Sequence, residues 1–343
     1  MQKIAPFVIL VLLLMAVSCK NSEENAPKGN AVYFWRTSFE LSLPEKEFLK
    51  ENNITALYVK FFDVVGNDES IRPENTLVFK EKFPDNCEII PTVFIDSKAF
   101  AGREVPENLS AMIVARIDTM LTKNGYKVSK EIEIDFDWTK KNRDQYFKIL
   151  SEIRDILHSQ ERLLSTTIRL HQLSQPIPPA DYGALMVYNT GDFSSNREYN
   201  SILSMKAVEP YLKHLPGYEL PLVAALPIYS WNLLYRNDRF VVITRGINEK
   251  DTTWFSPIDG NKFRVRKYGS VPGSSGGYSE GVKLTPGDIL RHEEASYQLL
   301  DSVENVLRRV RPGILGRVIL YHLDEKSISN YNNNEINKIY SRN

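Results

Sequence analysis

Eight consecutive residues constrain this chain more than any others: Glu131-Ile132-Glu133-Ile134-Asp135-Phe136-Asp137-Trp138. Acid and apolar residues alternate there without a break. Side chains on a strand alternate between its two faces. Glu131, Glu133, Asp135 and Asp137 therefore share one face, and Ile132, Ile134, Phe136 and Trp138 share the other. A row of carboxylates with an apolar back is costly unless something pairs or uses the charge. Acid–base chemistry on sugars is one common use of such a ladder.

Seven other short apolar runs read as strands, at 31–38, 56–64, 88–96, 164–170, 184–189, 220–229 and 317–324. Most lack a polar face, as expected of strands covered on both sides. Helical patterns at 44–52, 109–124, 142–159, 200–214 and 287–309 lie between many of them, and 334–340 reads as a closing helix. Strands alternating with helices imply parallel pairing. Eight strands in about 300 residues predict a (β/α)8 barrel. A doubly wound open sheet is the other reading. The absence of a glycine-rich loop after the first strand counts against a nucleotide-binding version of it.

One segment breaks the rhythm. Residues 232–285 are long and carry strand-like pieces of their own at 239–244 and 262–268, followed by a Gly- and Ser-rich stretch at 269–281. This predicts a small β insertion and loop between strands seven and eight, on the C-terminal face where barrel enzymes carry their active sites.

Residues 31–343 form the expected barrel, and the chain before it reads differently. Lys3 precedes an apolar stretch at 7–17, and Ala16-Val17-Ser18-Cys19 follows. That stretch has signal-peptide length and is too short to span a bilayer. Small residues before a cysteine resemble a bacterial lipoprotein cleavage box, with residues 1–19 as signal peptide and Cys19 as the lipidated residue. Residues 20–30 are polar and aperiodic, as a flexible tether would be. Glu23-Glu24 resembles the acidic surface-export signal of Bacteroides-type lipoproteins. The expectation is an outer-membrane lipoprotein facing the periplasm or the exterior. Cys87 is then the single mature thiol, so no intramolecular disulfide forms and a buried small hydrophobe is expected.

Charge excludes one class of partner. The chain has 43 basic and 43 acidic side chains, with no basic excess to track a nucleic acid. No cofactor is called for. His171 and His322 follow strand ends, but two histidines and loose acids fall short of a metal site. Ser230 lies in no nucleophile elbow.

Asp135 and Asp137 are the catalytic candidates. At that spacing they stand about 7 Å apart along the strand. In a partly dry cavity two such carboxylates should titrate apart, one as acid and one as charged neighbour. The alternative is that the acids are paired inside the barrel mouth by Arg36, Lys60 or Arg169. Aromatic and polar residues gather at other strand ends: Trp35, Tyr188, Asn189, Tyr229, Trp231 and His322. Aromatic faces with fixed polar groups suit sugar rings. The plainer reading is that these aromatics are barrel core.

These residues carry a family resemblance. Glu133-x-Asp135-x-Asp137 looks like the Asp-x-Asp-x-Glu end of the glycoside hydrolase family 18 signature. Met186-Val187-Tyr188-Asn189 is similar to that family's Met-x-Tyr-Asp/Asn on strand six, and a long β insertion after strand seven is usual there. Asp135 matches identically. Glu133 replaces an aspartate, Asp137 stands at the catalytic glutamate, and Lys130-Glu131 replace Asp-Gly. The resemblance implies a (β/α)8 fold and hydrolysis of N-acetylglucosamine-containing glycans, in which the substrate's own acetamido group attacks the sugar carbon. It implies Asp137 as acid, Asp135 as stabiliser of the ring intermediate and Tyr188 as donor to the acetamido carbonyl. Glu133, Trp35, Asn189, Tyr229, Trp231 and His322 would then bind substrate. The partners expected are a carbohydrate and, through the lipid, a membrane, with the protein a monomer. A barrel that binds glycans without cleaving them, having lost the catalytic Glu, is the second reading. A barrel with an interaction role and internally paired acids is the third.

Overall fold

Eight parallel strands close into a barrel in the computed structural model, which describes residues 26–66, 70–100, 105–244, 247–271 and 281–341. They are β1 (Gly29–Phe34), β2 (Ile54–Gly66), β3 (Glu88–Ile95), β4 (Glu131–Asp135), β5 (Leu163–Arg169), β6 (Tyr182–Met186), β7 (Leu222–Pro227) and β8 (Arg317–Tyr321). β1 pairs in parallel with both β2 and β8, so the barrel has no open edge. A short strand, Ile71–Glu74, lies antiparallel on the far end of β2.

Helices cover the barrel: α1 (Leu43–Glu51), α2 (Leu109–Lys123), α3 (Arg143–His158), α4 (Met205–Leu212), α5 (Tyr297–Val310), α6 (Glu325–Ile328) and α7 (Asn333–Tyr340). Local chemistry sets several of their ends. Ser42 and Glu45 form a capping box at α1, with Pro44 in its first turn. Ser296 caps α5. α3 buries Tyr146, Ile149, Leu150, Ile153 and Leu157, a stripe at helical spacing.

The alternation on β4 sorts its side chains as the sequence predicts. Ile132 and Ile134 are fully buried in the hydrophobic core. The acids enter the barrel as successive rungs. Glu131 accepts hydrogen bonds from Ser165 and Tyr182, in a layer with Tyr58 and Arg317. Glu133 accepts from the Tyr33 hydroxyl at 2.9 Å and from Thr92 at 3.2 Å. Asp135 accepts from Thr167 at 2.6 Å and Arg169 at 2.8 Å. Each of these three β4 carboxylates thus has partners, which is what makes a polar barrel interior tolerable.

Two of the differences from the sequence reading bear on the site and the inserted sheet. β4 ends at Asp135, not at residue 138. Its last ladder partners are Phe94 on one side and Thr166, opposite Ile134, on the other. Residues 287–309 do not form one helix. Ile289–Glu294 is a strand, and α5 starts only after its Ser296 cap.

That strand belongs to a five-stranded antiparallel sheet with Ser230–Arg236, Arg239–Thr244, Phe255–Asp259 and Lys262–Val265. Asn237 and Asp238 both have positive φ, which suits the two-residue hairpin between its first two strands. The sheet has a small core of Leu234, Phe255, Val265, Leu284 and Leu290. Arg291 and Glu293, both inaccessible, pair at 2.7 Å within it. Arg291 also donates to the carbonyls of Ser195 and Glu198, which ties the sheet to the loop after β6. Among the described residues no helix is long and apolar enough to cross a membrane. Cys19 and residues 272–280 of the Gly-rich stretch lie outside the described residues.

Candidate active site

A cleft of about 440 Å³ opens at the C-terminal ends of the barrel strands. Asp135 and Asp137 both line it, with Arg169, His171, Tyr188 and Tyr321 around them. Open clefts at this end of a barrel are where its loops converge.

Asp135 forms the floor. It is 3% exposed and held by Thr167 and Arg169. Burial works against the Arg169 charge, but Asp135, Tyr188 and Asp137 outweigh it and hold the guanidinium above its ordinary pKa. Beneath the floor, burial pushes Glu131 up to about 7. Burial, and then the charge of Asp135, pushes Glu133 well above the usual carboxylate range. Glu133 is therefore a buried support under the cleft and not part of its lining.

Asp137 stands past the end of β4 at the rim, with its side chain 59% exposed. Its Oδ1 lies 3.5 Å from His171 Nε2 and 3.5 Å from the Gln172 amide nitrogen. Gln172 is inaccessible and donates to the Trp138 carbonyl at 3.0 Å. The loops after β4 and β5 are thereby joined directly behind Asp137.

Tyr188 lines the cleft from the loop after β6 and stacks on Tyr321, with centroids 5.0 Å apart. Its hydroxyl is buried and has no hydrogen-bond partner among the described residues. Burial pushes its pKa well above normal, so the group stays a hydroxyl and can donate. An unmet buried hydroxyl costs about 1–3 kcal/mol, and a ligand carbonyl would relieve that cost.

The other expected residues divide into two groups. Trp35 and Asn189 line the cleft. Trp35 packs edge-on against Tyr33 and Tyr321. Asn189 has φ 52°, a region asparagine tolerates, and accepts from the Tyr229 hydroxyl at 2.6 Å. Tyr229, Trp231 and His322 are not in the lining. Tyr229 supports Asn189. Trp231 packs on Tyr229 and donates its indole N–H to Glu293 at 2.8 Å. His322 is buried, with Nε2 3.2 Å from Asp324.

Strand parity explains the placement of Tyr321. Arg317 reaches the Tyr58 hydroxyl inside the barrel, so Tyr321, four residues on at the end of β8, also points inward. Tyr321, not its neighbour, is the strand-eight aromatic of the cleft. Lys60 and Asp63 also line the cleft and pair at 3.0 Å, with Asn75 donating to Asp63 at 2.6 Å. Residues three apart on a strand should face opposite ways. A register irregularity between Lys60 and Phe62 turns both inward. Of the expected pairing cations, Arg169 meets Asp135, Lys60 meets Asp63, and Arg36 meets Glu45 at 2.8 Å. No His, Cys, Asp or Glu cluster among the described residues could hold a metal ion.

No protein-family model matches the chain, and no curated protein matches it. Solved structures do. A chitinase from Chromobacterium violaceum ATCC 12472 superposes with TM-score 0.53 at 11% identity, covering 91% of this chain and 98% of that one. The GH18 chitinase ChiB from the chitin utilization locus of Flavobacterium johnsoniae gives 0.51 at 11% identity, covering 92% and 94%. The spore cortex-lytic enzyme SleL of Bacillus megaterium QM B1551 gives 0.50 at 13% identity, covering 88% and 73%. The likeness at these identities is one of fold. The chain has a glycoside hydrolase family 18-like (β/α)8 barrel.

Proposed function

We propose that this protein hydrolyses N-acetylglucosamine-containing glycans, with acid catalysis centred on Asp137 and assistance from the substrate's acetamido group. One observation carries the reading: Tyr188, which lines the same cleft as Asp135 and Asp137, has a buried hydroxyl with no hydrogen-bond partner among the described residues. A hydroxyl of that kind is suited to donate to an acetamido carbonyl and orient its oxygen toward the sugar carbon. Asp137, at the solvent-facing rim, is suited to the glycosidic oxygen. Asp135 supplies the nearby negative charge that a cationic ring intermediate needs. Trp35 and Tyr321 offer aromatic faces for sugar rings. The chitinase and cortex-lytic neighbours share the barrel and support the assignment at the level of fold. The test is product release from chitooligosaccharide or high-mannose N-glycan by the purified protein. No product from either would remove the reading.

A second reading is favoured by the Asp135–Arg169 pair. A carboxylate already neutralised by a guanidinium is a weaker stabiliser of a cation. The protein would then bind glycans without cleaving them. Saturable glycan binding with no product distinguishes this from hydrolysis.

The cellular setting is also a proposal. Cys19 would carry lipid and residues 20–30 would tether a monomeric barrel to the outer membrane. Cys19→Ser should shift the protein from the membrane fraction to the soluble fraction. Retention of that variant on membranes would refute the anchor.

A further inference from the structure

We propose that His171, oriented by Asp137, is the group that hands the proton to the departing sugar oxygen. The inference rests on the hydrolase reading above and refines it: Asp137 acts through His171 and not on the glycosidic oxygen itself, because the acid is short. A carboxylate shorter by one methylene falls about 1.5 Å short of a glutamate's reach. Misplacement of about 1 Å can already cost a hundredfold in rate. His171 closes that gap from the neighbouring loop. Its Nε2 lies 3.5 Å from Asp137 Oδ1, and both residues line the cleft. Their side chains are 49% and 59% exposed, so a bound glycan can reach them.

The geometry is held from behind. Gln172, next to His171, donates to the Trp138 carbonyl, and its own side-chain oxygen accepts from the Arg169 backbone N–H at 2.8 Å. The turn that carries His171 (Leu170–Ser174) is thus stitched to the loop that carries Asp137. Asp135 is occupied by Arg169 and Thr167, so Asp137 is the carboxylate that faces the imidazole. The carboxylate 3.5 Å from Nε2 leaves Nδ1 as the ring nitrogen available to a ligand, an arrangement that suits proton transfer.

The step balances without a co-reactant. The acetamido carbonyl oxygen attacks the anomeric carbon as the bond from that carbon to the glycosidic oxygen breaks. The His171 imidazolium gives its proton to that oxygen, and the leaving sugar departs as an alcohol. Neutral His171 then takes a proton from water as the water oxygen adds to the anomeric carbon. The ring intermediate opens to the reducing sugar, and the imidazolium is restored.

The experiment compares His171→Ala with the unmutated full-length protein on two substrates. One is a chitooligosaccharide, whose leaving alcohol needs protonation. The other is a 4-methylumbelliferyl chitobioside, whose leaving group does not. The expected result is a loss of kcat of at least about a hundredfold on the oligosaccharide, less than about tenfold on the aryl glycoside, and partial recovery with added imidazole. Unchanged kcat on both substrates, or an equal loss on both with no imidazole effect, would overturn the assignment of His171 while leaving the hydrolase intact. Absence of product from either substrate with the unmutated protein would overturn both.

Discussion

Arg169, at the end of β5, donates to Asp135, at the end of neighbouring β4, at 2.8 Å, on the last interior rung before solvent. The pair closes the polar ladder that begins with Glu131 and makes the cleft floor a fixed surface. Removing one partner strands the other charge. Arg169→Met should cost about 3–5 kcal/mol of stability, because Asp135 would be left buried and uncompensated. Urea denaturation measures this. The double variant with Asp135→Asn should recover most of the loss, and an unchanged midpoint in the single variant would contradict the structural role.

Glu131 predicts a pH dependence of stability. Burial raises its pKa from an ordinary 4.5 to about 7 in the folded state. The folded chain therefore holds this proton more tightly than the unfolded chain. The contribution is complete below about pH 4.5 and is lost as pH rises through about 7, on the order of 3 kcal/mol. Glu133 is shifted in the same direction and adds to the same slope. Denaturation midpoints should fall between about pH 5 and pH 8 in the native protein, and fall less in Glu131→Gln. Parallel profiles for the two proteins would show that Glu131 is not the titrating group.

Tyr188→Phe separates a ligand contact from a structural one. The hydroxyl has no protein partner among the described residues, so its loss should leave thermal stability unchanged or slightly raised. Turnover should fall about tenfold or more, the worth of one hydrogen bond made in the transition state. A large drop in thermal stability would mean that the hydroxyl serves the fold.

Trp35→Ala tests the aromatic wall. Trp35 is half-buried at the rim and packs on Tyr33 and Tyr321 by its edges. Its loss should raise KM about tenfold with a smaller effect on kcat, as expected for uniform binding. A loss confined to kcat would instead place it among the groups that act in the transition state.

Much of this was legible in the sequence, for identifiable reasons. Strong periodicity marks elements, so the eight strands and the amphipathic stripe of α3 could be read directly. The Glu131–Asp135 ladder could be read because a strand with period two must send its acids to one side. The strand-eight residue of the cleft is Tyr321, which parity from Arg317 would have indicated had the inward set been known. The Lys60–Asp63 pair depends on an irregular register that no periodicity reveals. His171 follows Arg169 into a short turn, and only tertiary contact through Gln172 brings it to Asp137. The 289–294 strand was hidden because its partners lie up to 64 residues away, with Ser230 pairing with Glu294.

The most direct test of the account is the rate of chitooligosaccharide hydrolysis by Asp137→Asn beside the unmutated protein, with folding checked by thermal denaturation. Asp137 is more than half exposed, so the variant should fold normally. The account predicts active native protein and a variant slower by at least about a hundredfold. Equal rates in two equally folded proteins would contradict it.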